Sequence, residues 1–108
     1  MAGKKKLSGR ALRREAERAA EKLGRDREKL ASLEPGGAPE RPIEIRSASE
    51  VEVIARSMPC GRCGAPVRLD EHLAETIGIT RFRIARLSCS MCGARRSVYF
   101  RIALALPN

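Results

Sequence analysis

The chain has 108 residues and a formal net charge of +9, with 22 basic side chains against 13 acidic ones. Its length excludes a multidomain architecture with deep cores, and a domain this small and poor in aromatic residues usually needs a staple such as a metal. The basic balance favours polyanionic partners: nucleic acid, an anionic membrane surface or an acidic protein.

The first third of the chain predicts a basic arm and a charged helix. Residues 1–8 are expected to form a disordered arm, and Ser8 is placed to cap a helix over residues 9–33. An apolar stripe runs along this helix at a period of 3.5 residues, and one acidic residue interrupts it. The stripe positions are Leu12, Ala16, Ala19, Leu23, Asp26, Leu30 and Leu33. Three alternatives follow: a solvated helix, a helix that docks on a partner or self-pairs, and a helix that contacts nucleic acid.

The segment after the helix predicts a linker and then short elements of uncertain type. Residues 34–42 hold three prolines and two glycines, which predict a linker. Residues 43–108 are predicted to form the metal-binding domain, beginning with short strands within 43–57. Alternation of Val51 and Val53 favours a strand over residues 50–57. A capping-box pattern at Ser49–Glu52 competes with it and would begin a helix.

The remaining apolar pattern predicts about three antiparallel strands. Strands are expected from Val67 toward Glu75, over residues 81–87 and over residues 97–104, with a turn that uses Gly78. A bulge at Ala85-Arg86 would group the large apolar residues of the middle strand inside and its arginines outside. The inside set is Phe82, Ile84 and Leu87, and the outside set is Arg81, Arg83 and Arg86. The predicted fold class is small, metal-stabilised and mainly β, with an N-terminal α-helix.

All four cysteines lie in two Cys-x-x-Cys-Gly motifs: Cys60, Cys63, Cys89 and Cys92. Two intervening residues let a tight turn direct both sulfurs to one point, and the following glycine accepts a positive φ. The spacing predicts one closed four-sulfur site for a single structural Zn²⁺. Iron also binds four thiolates in this geometry and remains an alternative. Catalytic zinc is not expected, since four thiolates leave no position for water.

With a hairpin between the two motifs, residues 50–104 resemble the zinc-ribbon superfamily. Zinc ribbons are frequent in RNA polymerase subunits, elongation factors and ribosomal proteins, so the resemblance implies a transcription-related role. The stretch from Cys89 to Phe100 looks like the ribbon of elongation factors that stimulate RNA cleavage. Those ribbons carry an Asp-Glu pair at the hairpin tip. Here the only such pair, Asp70-Glu71, lies in the first strand, and cleavage activity is not expected.

Arginine supplies the candidate contacts to nucleic acid. The candidate residues are Arg81, Arg83, Arg86, Arg95, Arg96, Tyr99 and Arg101. On one sheet face, arginines and one aromatic ring would contact phosphates and stack a base. The competing interpretation is a solvated strand face whose arginine stems cover the sheet.

The sequence therefore predicts a non-enzymatic zinc protein that binds DNA or RNA through this face and the basic arm. The alternative is a protein-interaction adaptor in which residues 9–33 dock on a partner. An exposed leucine stripe would favour the adaptor, and a contiguous arginine face would favour nucleic acid.

No catalytic residue is predicted, and neither a small-molecule substrate nor a membrane partner is expected. His72, the single histidine, has no nucleophile placed to pair with it. The sequence offers no signal peptide or membrane-spanning run, and thiolates held for a metal suit a cytoplasmic, reducing compartment.

Overall fold

A computed structural model describes residues 8–103, which form two helices and a four-stranded sheet. The elements are α1 (Gly9–Leu33), β1 (Ile43–Ile45), α2 (Ser49–Ser57), β2 (Val67–Ile77), β3 (Thr80–Cys89) and β4 (Arg95–Ile102). The predicted basic arm before Ser8 and the predicted end of the last strand at Leu104 lie outside the described residues.

The sheet is mixed and has the strand order β1-β4-β3-β2. Strands β2, β3 and β4 are antiparallel neighbours, as predicted, whereas β1 runs parallel to β4 at the edge. A short strand was predicted within residues 43–57, and β1 is such a strand, but its parallel pairing with β4 was not predicted. The β2–β3 hairpin turns through Gly78-Ile79, and Gly78 has the positive φ of 63° that its first turn position requires.

Helix α1 spans the predicted residues and begins as predicted. The Ser8 hydroxyl accepts a hydrogen bond of 3.1 Å from the Ala11 N–H and satisfies one donor of the first turn. Gly24 is the one buried residue in this helix, so α1 contributes almost nothing to the apolar core.

The predicted strand over residues 50–57 is wrong, because Ser49–Ser57 form the helix α2. Val51, Ile54, Ala55 and Met58 fall on one helical face and pack on the sheet, while Val53 points to solvent. The cap also lies two residues earlier than the predicted box. The Glu50 carboxylate accepts the N–H groups of Arg46 at 2.6 Å and Ser47 at 2.9 Å.

The register bulge lies in β2, between Leu69 and Glu71, and not at Ala85-Arg86 in β3. Strand β3 stays in regular register with β4, so its side chains alternate without interruption. Arg83 and Leu87 therefore lie on the side of the sheet that carries α2. Phe82, Ile84 and Arg86 lie on the face away from α2, hereafter the open face, where Phe82 and Ile84 are nevertheless buried. The predicted grouping of the arginines on one side of β3 is wrong.

The core lies between α2 and the sheet. Its fully buried large side chains are Phe100, Leu87, Val51 and Val98. The predicted linker also reaches this core, because Gly36 is buried and its carbonyl accepts the Tyr99 N–H at 2.9 Å. A Cβ on Gly36 would lie 2.8 Å from both Ile43 Cδ1 and Val98 Cγ1. The backbone of the segment that connects α1 to the sheet therefore packs directly against side chains of the core.

Candidate metal centre and the helix beside it

The two cysteine motifs form equivalent turns at the end of the sheet where β2 begins and β3 ends. In the first, the Gly64 N–H donates to the Cys60 carbonyl at 2.9 Å, and in the second the Gly93 N–H donates to the Cys89 carbonyl at 3.1 Å. Gly64 and Gly93 have φ values of 80° and 75°. These are the conformations that the glycine in each motif predicts. Antiparallel pairing of Val67 with Cys89 places the two turns side by side.

The four cysteine sulfurs form one cluster and lie within 4.8 Å of one another. The Cys60 and Cys92 sulfurs are 3.7 Å apart, and the Cys63 and Cys89 sulfurs are 3.4 Å apart. Cys60 and Cys89 are buried, whereas Cys63 and Cys92 lie at the surface. All four predicted ligands are thus brought together and can coordinate one metal ion.

Backbone donors and crowding separate the acidities of these thiols. N–H groups of Cys92 and Met91 donate to the Cys89 sulfur and lower the pKa of that thiol to about 6. For Cys92, an N–H bond from Ala94 lowers the pKa, but partial desolvation of the sulfur and the three neighbouring thiols outweigh it and raise the pKa to about 12. Four thiols this close do not all ionise without a cation to offset their repulsion, so the donor set fits a metal ion.

Arg62, inside the first motif, fastens α1 to the metal centre. Its guanidinium pairs with Glu21 at 2.7 Å and with Glu28 at 3.2 Å. The side chain crosses the helix at Gly24, where a Cβ would lie 2.8 Å from Arg62 Nε. These partners were not found from the sequence. The available signal was a glycine in the middle of a helix with glutamates three residues before and four residues after it.

The leucine stripe of α1 points away from this contact. Glu21, Gly24 and Glu28 occupy the b and f positions of the heptad whose a and d positions form the stripe. The stripe leucines are consequently exposed: Leu12, Leu23, Leu30 and Leu33 retain 54%, 52%, 63% and 64% of their accessible surface. Helix α1 therefore binds its own domain through a polar face and leaves its apolar face uncovered within the described chain.

The candidate nucleic-acid residues do not form one surface. By strand register, one group faces the α2 side and the other lies on the open face. The first group is Arg81, Arg83 and Arg96, and the second is Arg86, Arg95, Tyr99 and Arg101. On the open face Arg86 pairs with Glu71 at 3.3 Å and Arg101 pairs with Glu44. Acidic neighbours thus offset the charge of two arginines that were expected to contact phosphate.

The Asp70-Glu71 pair lies at the β2 bulge and makes structural contacts. Asp70 accepts a hydrogen bond of 3.1 Å from the Ser88 hydroxyl, and Glu71 binds Arg86. His72 is half-buried between β2 and α2, with its Nδ1 atom 3.4 Å from Glu52 Oε2. These groups connect strands and helix to one another.

Comparison with protein-family models, with curated proteins and with solved structures finds no match for this chain. Among residues 8–103, neither helix combines the length and the apolar character that crossing a membrane requires.

Proposed function

We propose that this protein is a non-enzymatic adaptor in which the leucine stripe of α1 binds a protein partner. The observation that supports the proposal is the direction of the stripe. Arg62 holds the opposite face of the helix through Glu21 and Glu28, so the apolar side stays outward and accessible. A stripe confined to a and d positions is typical of pairing with another helix.

In this proposal the cysteine domain is a zinc-ribbon-like support and its metal is a structural Zn²⁺. Tetrahedral zinc with bonds of about 2.3 Å places its sulfurs about 3.8 Å apart. The two close sulfur pairs, at 3.7 and 3.4 Å, fit that spacing. Zinc fixes the turn that carries Arg62, and Arg62 sets the position of α1. Four thiolates fill the coordination sphere, which suits a support and not a reaction centre.

Site-specific photo-crosslinking in cells tests the proposal. A photoreactive residue is placed at Leu23, on the stripe, and in a separate variant at Arg14, an exposed position on the opposite side of α1. We expect a discrete crosslinked protein from Leu23 that is lost when Leu12 and Leu30 become Glu. Identical products from both positions, or none from Leu23, would contradict a partner on the stripe.

A second candidate function is binding of nucleic acid through the basic N-terminal third and the end of the sheet near the metal centre. Residues 1–34 carry 11 basic and 6 acidic side chains, a net charge of +5. Arg95 is exposed and, like Arg96, forms no ion pair with the described residues, although one terminal nitrogen of Arg96 is buried. Binding to duplex DNA and single-stranded RNA, measured between about 50 and 200 mM salt, tests this candidate, because phosphate-driven affinity falls steeply over that range.

A further inference from the structure

We infer that the partner of the α1 stripe is an acidic amphipathic helix, with leucine-like residues on its apolar seam and carboxylates on both flanks. The inference rests on the proposed function and specifies the chemistry of the partner. It follows from how charge is distributed around α1.

The positions that flank the stripe are mostly basic. In the heptad that places Leu23 and Leu30 at position a, the charged e and g positions between Gly9 and Leu33 hold four basic residues and one acid. They are Arg13, Lys22, Arg27, Lys29 and Glu15. The acids Glu17, Glu21 and Glu28 lie instead at b and f, and the last two bind Arg62. The docked face thus carries most of the helix's negative charge, and a partner on the stripe meets lysine and arginine on both sides.

The same stripe is a poor match for a second copy of this chain. A parallel pair would place Asp26 against Asp26 inside the seam and Lys22 against Arg27 on the flank. Like charges at such positions are destabilising. An antiparallel pair over the full helix would bring Arg13 beside Arg27 and Lys22 beside Lys22, and the attraction between Glu15 and Lys29 would offset these repulsions only in part. A partner with acidic flanks converts these repulsions into attractions.

The stripe is also too narrow for a lipid surface. Two of its seven positions are alanine and one is Asp26, and charged residues border it directly. A helix that lies in a membrane interface presents a broad apolar face. The helix spanning Gly9–Leu33 contains no aromatic residue that could anchor it there.

The C-terminal end of the stripe opens onto the cysteine domain. Leu30 borders a shallow cleft of about 500 Å³ whose other walls include Met58, Pro59 and Gly61. The lining also includes Arg27 and Arg96, so a partner helix that follows the stripe continues onto a cleft with both apolar and basic walls. The cleft would fix the position of one end of the partner helix. Binding would then depend on correct folding of the cysteine domain.

Designed peptides test the inference on the zinc-loaded full chain. One labelled four-heptad peptide carries Leu at a and d with Glu at e and g, and a matched peptide carries Lys at e and g. We expect the acidic peptide to bind in fluorescence anisotropy and the basic peptide not to bind. The double variant Lys22→Glu/Lys29→Glu is expected to lose about tenfold in affinity, since each reversed flank pair changes binding a few-fold.

The control is Arg10→Glu/Arg14→Glu, which changes the net charge by the same amount on the docked side of α1. We expect this variant to bind the acidic peptide nearly as well as the unmodified chain. An equal loss in both double variants would overturn the inference, because it would show attraction to overall charge and not to the flanks.

Other outcomes separate this inference from the proposed function. Equal, Leu23-dependent binding of both peptides would overturn the acidic partner and leave a protein-binding stripe in place. Leu23-dependent dimerisation in sedimentation, without peptide binding, would identify a second copy as the occupant. Binding to vesicles containing phosphatidylserine, without peptide binding, would overturn both the acidic partner and the proposed function. The same conclusion would follow if α1 bound nothing in these assays and gave no crosslinked product in cells.

Discussion

Gly36→Ala measures how firmly the segment between α1 and the sheet is built into the core. Gly36 has a φ of 85°, which costs a residue with a Cβ about 1–2 kcal/mol. The added methyl group would also lie 2.8 Å from Ile43 and from Val98, inside contact distance. Overpacking of this kind costs about 1–3 kcal/mol more. We therefore expect the free energy of unfolding of the metal-loaded protein to fall by about 2–5 kcal/mol.

The matched control is Gly78→Ala in the β2–β3 turn. Gly78 has a positive φ of 63°, but its Cβ would meet nothing within 4 Å, so only the conformational cost of about 1–2 kcal/mol is expected. Urea unfolding followed by Tyr99 fluorescence reports on the sheet, because Tyr99 is the single tyrosine and the chain has no tryptophan. Equal destabilisation by the two substitutions would refute the packing argument and would make residues 34–42 a passive linker.

Three further predictions concern the metal centre and its contact with α1. Removal of the metal by a chelator is expected to abolish the Tyr99 signal of the folded sheet, because structural zinc supplies about 10–16 kcal/mol; an apo protein with a native signal would contradict this. Metal affinity is expected to weaken steadily as the pH falls, because all four ligands bind the metal as thiolates and protons compete for them; a pH titration with a zinc-sensitive dye measures the release, and an affinity that does not change between about pH 8 and about pH 5 would contradict it. Arg62→Ala is expected to broaden spin-label distances between α1 and the sheet with little change in melting temperature, since Glu21 and Glu28 stay 58% and 45% exposed and α1 adds almost nothing to the core, whereas Arg56→Ala on α2 should leave the distances unchanged.

Local chemistry was enough to predict the cysteine cluster. Cys60, Cys63, Cys89 and Cys92 form the cluster that their spacing indicated, and Gly64 and Gly93 adopt the backbone conformation that the motif requires. Ser8 and Gly78 likewise act where they were predicted to act. In each case the determining interaction lies within a few residues along the chain, and a sequence displays such interactions directly.

Residues 50–57 show where local signals conflict. Alternating valines favoured a strand, yet Val51 and Ala55 pack together on the sheet only from a helix, and burial against Phe100 and Leu87 outweighs a weak strand preference. Strand propensity depends on packing against neighbours, and those neighbours are contributed by segments more than 25 residues away. The sequence displays both patterns and does not rank them.

The amino-acid sequence alone was enough to predict the cysteine cluster, the extent of α1 and the hairpin between the two cysteine motifs. Packing in the folded chain sets which faces are covered: regular register in β3 separates Arg83 from Arg86, and Arg62 turns the leucines of α1 outward. Both outcomes depend on contacts between residues distant in the chain, such as Arg62 with Glu28. Side-chain periodicity states that a helix or strand has two faces, but only packing determines which of them remains free to bind a partner.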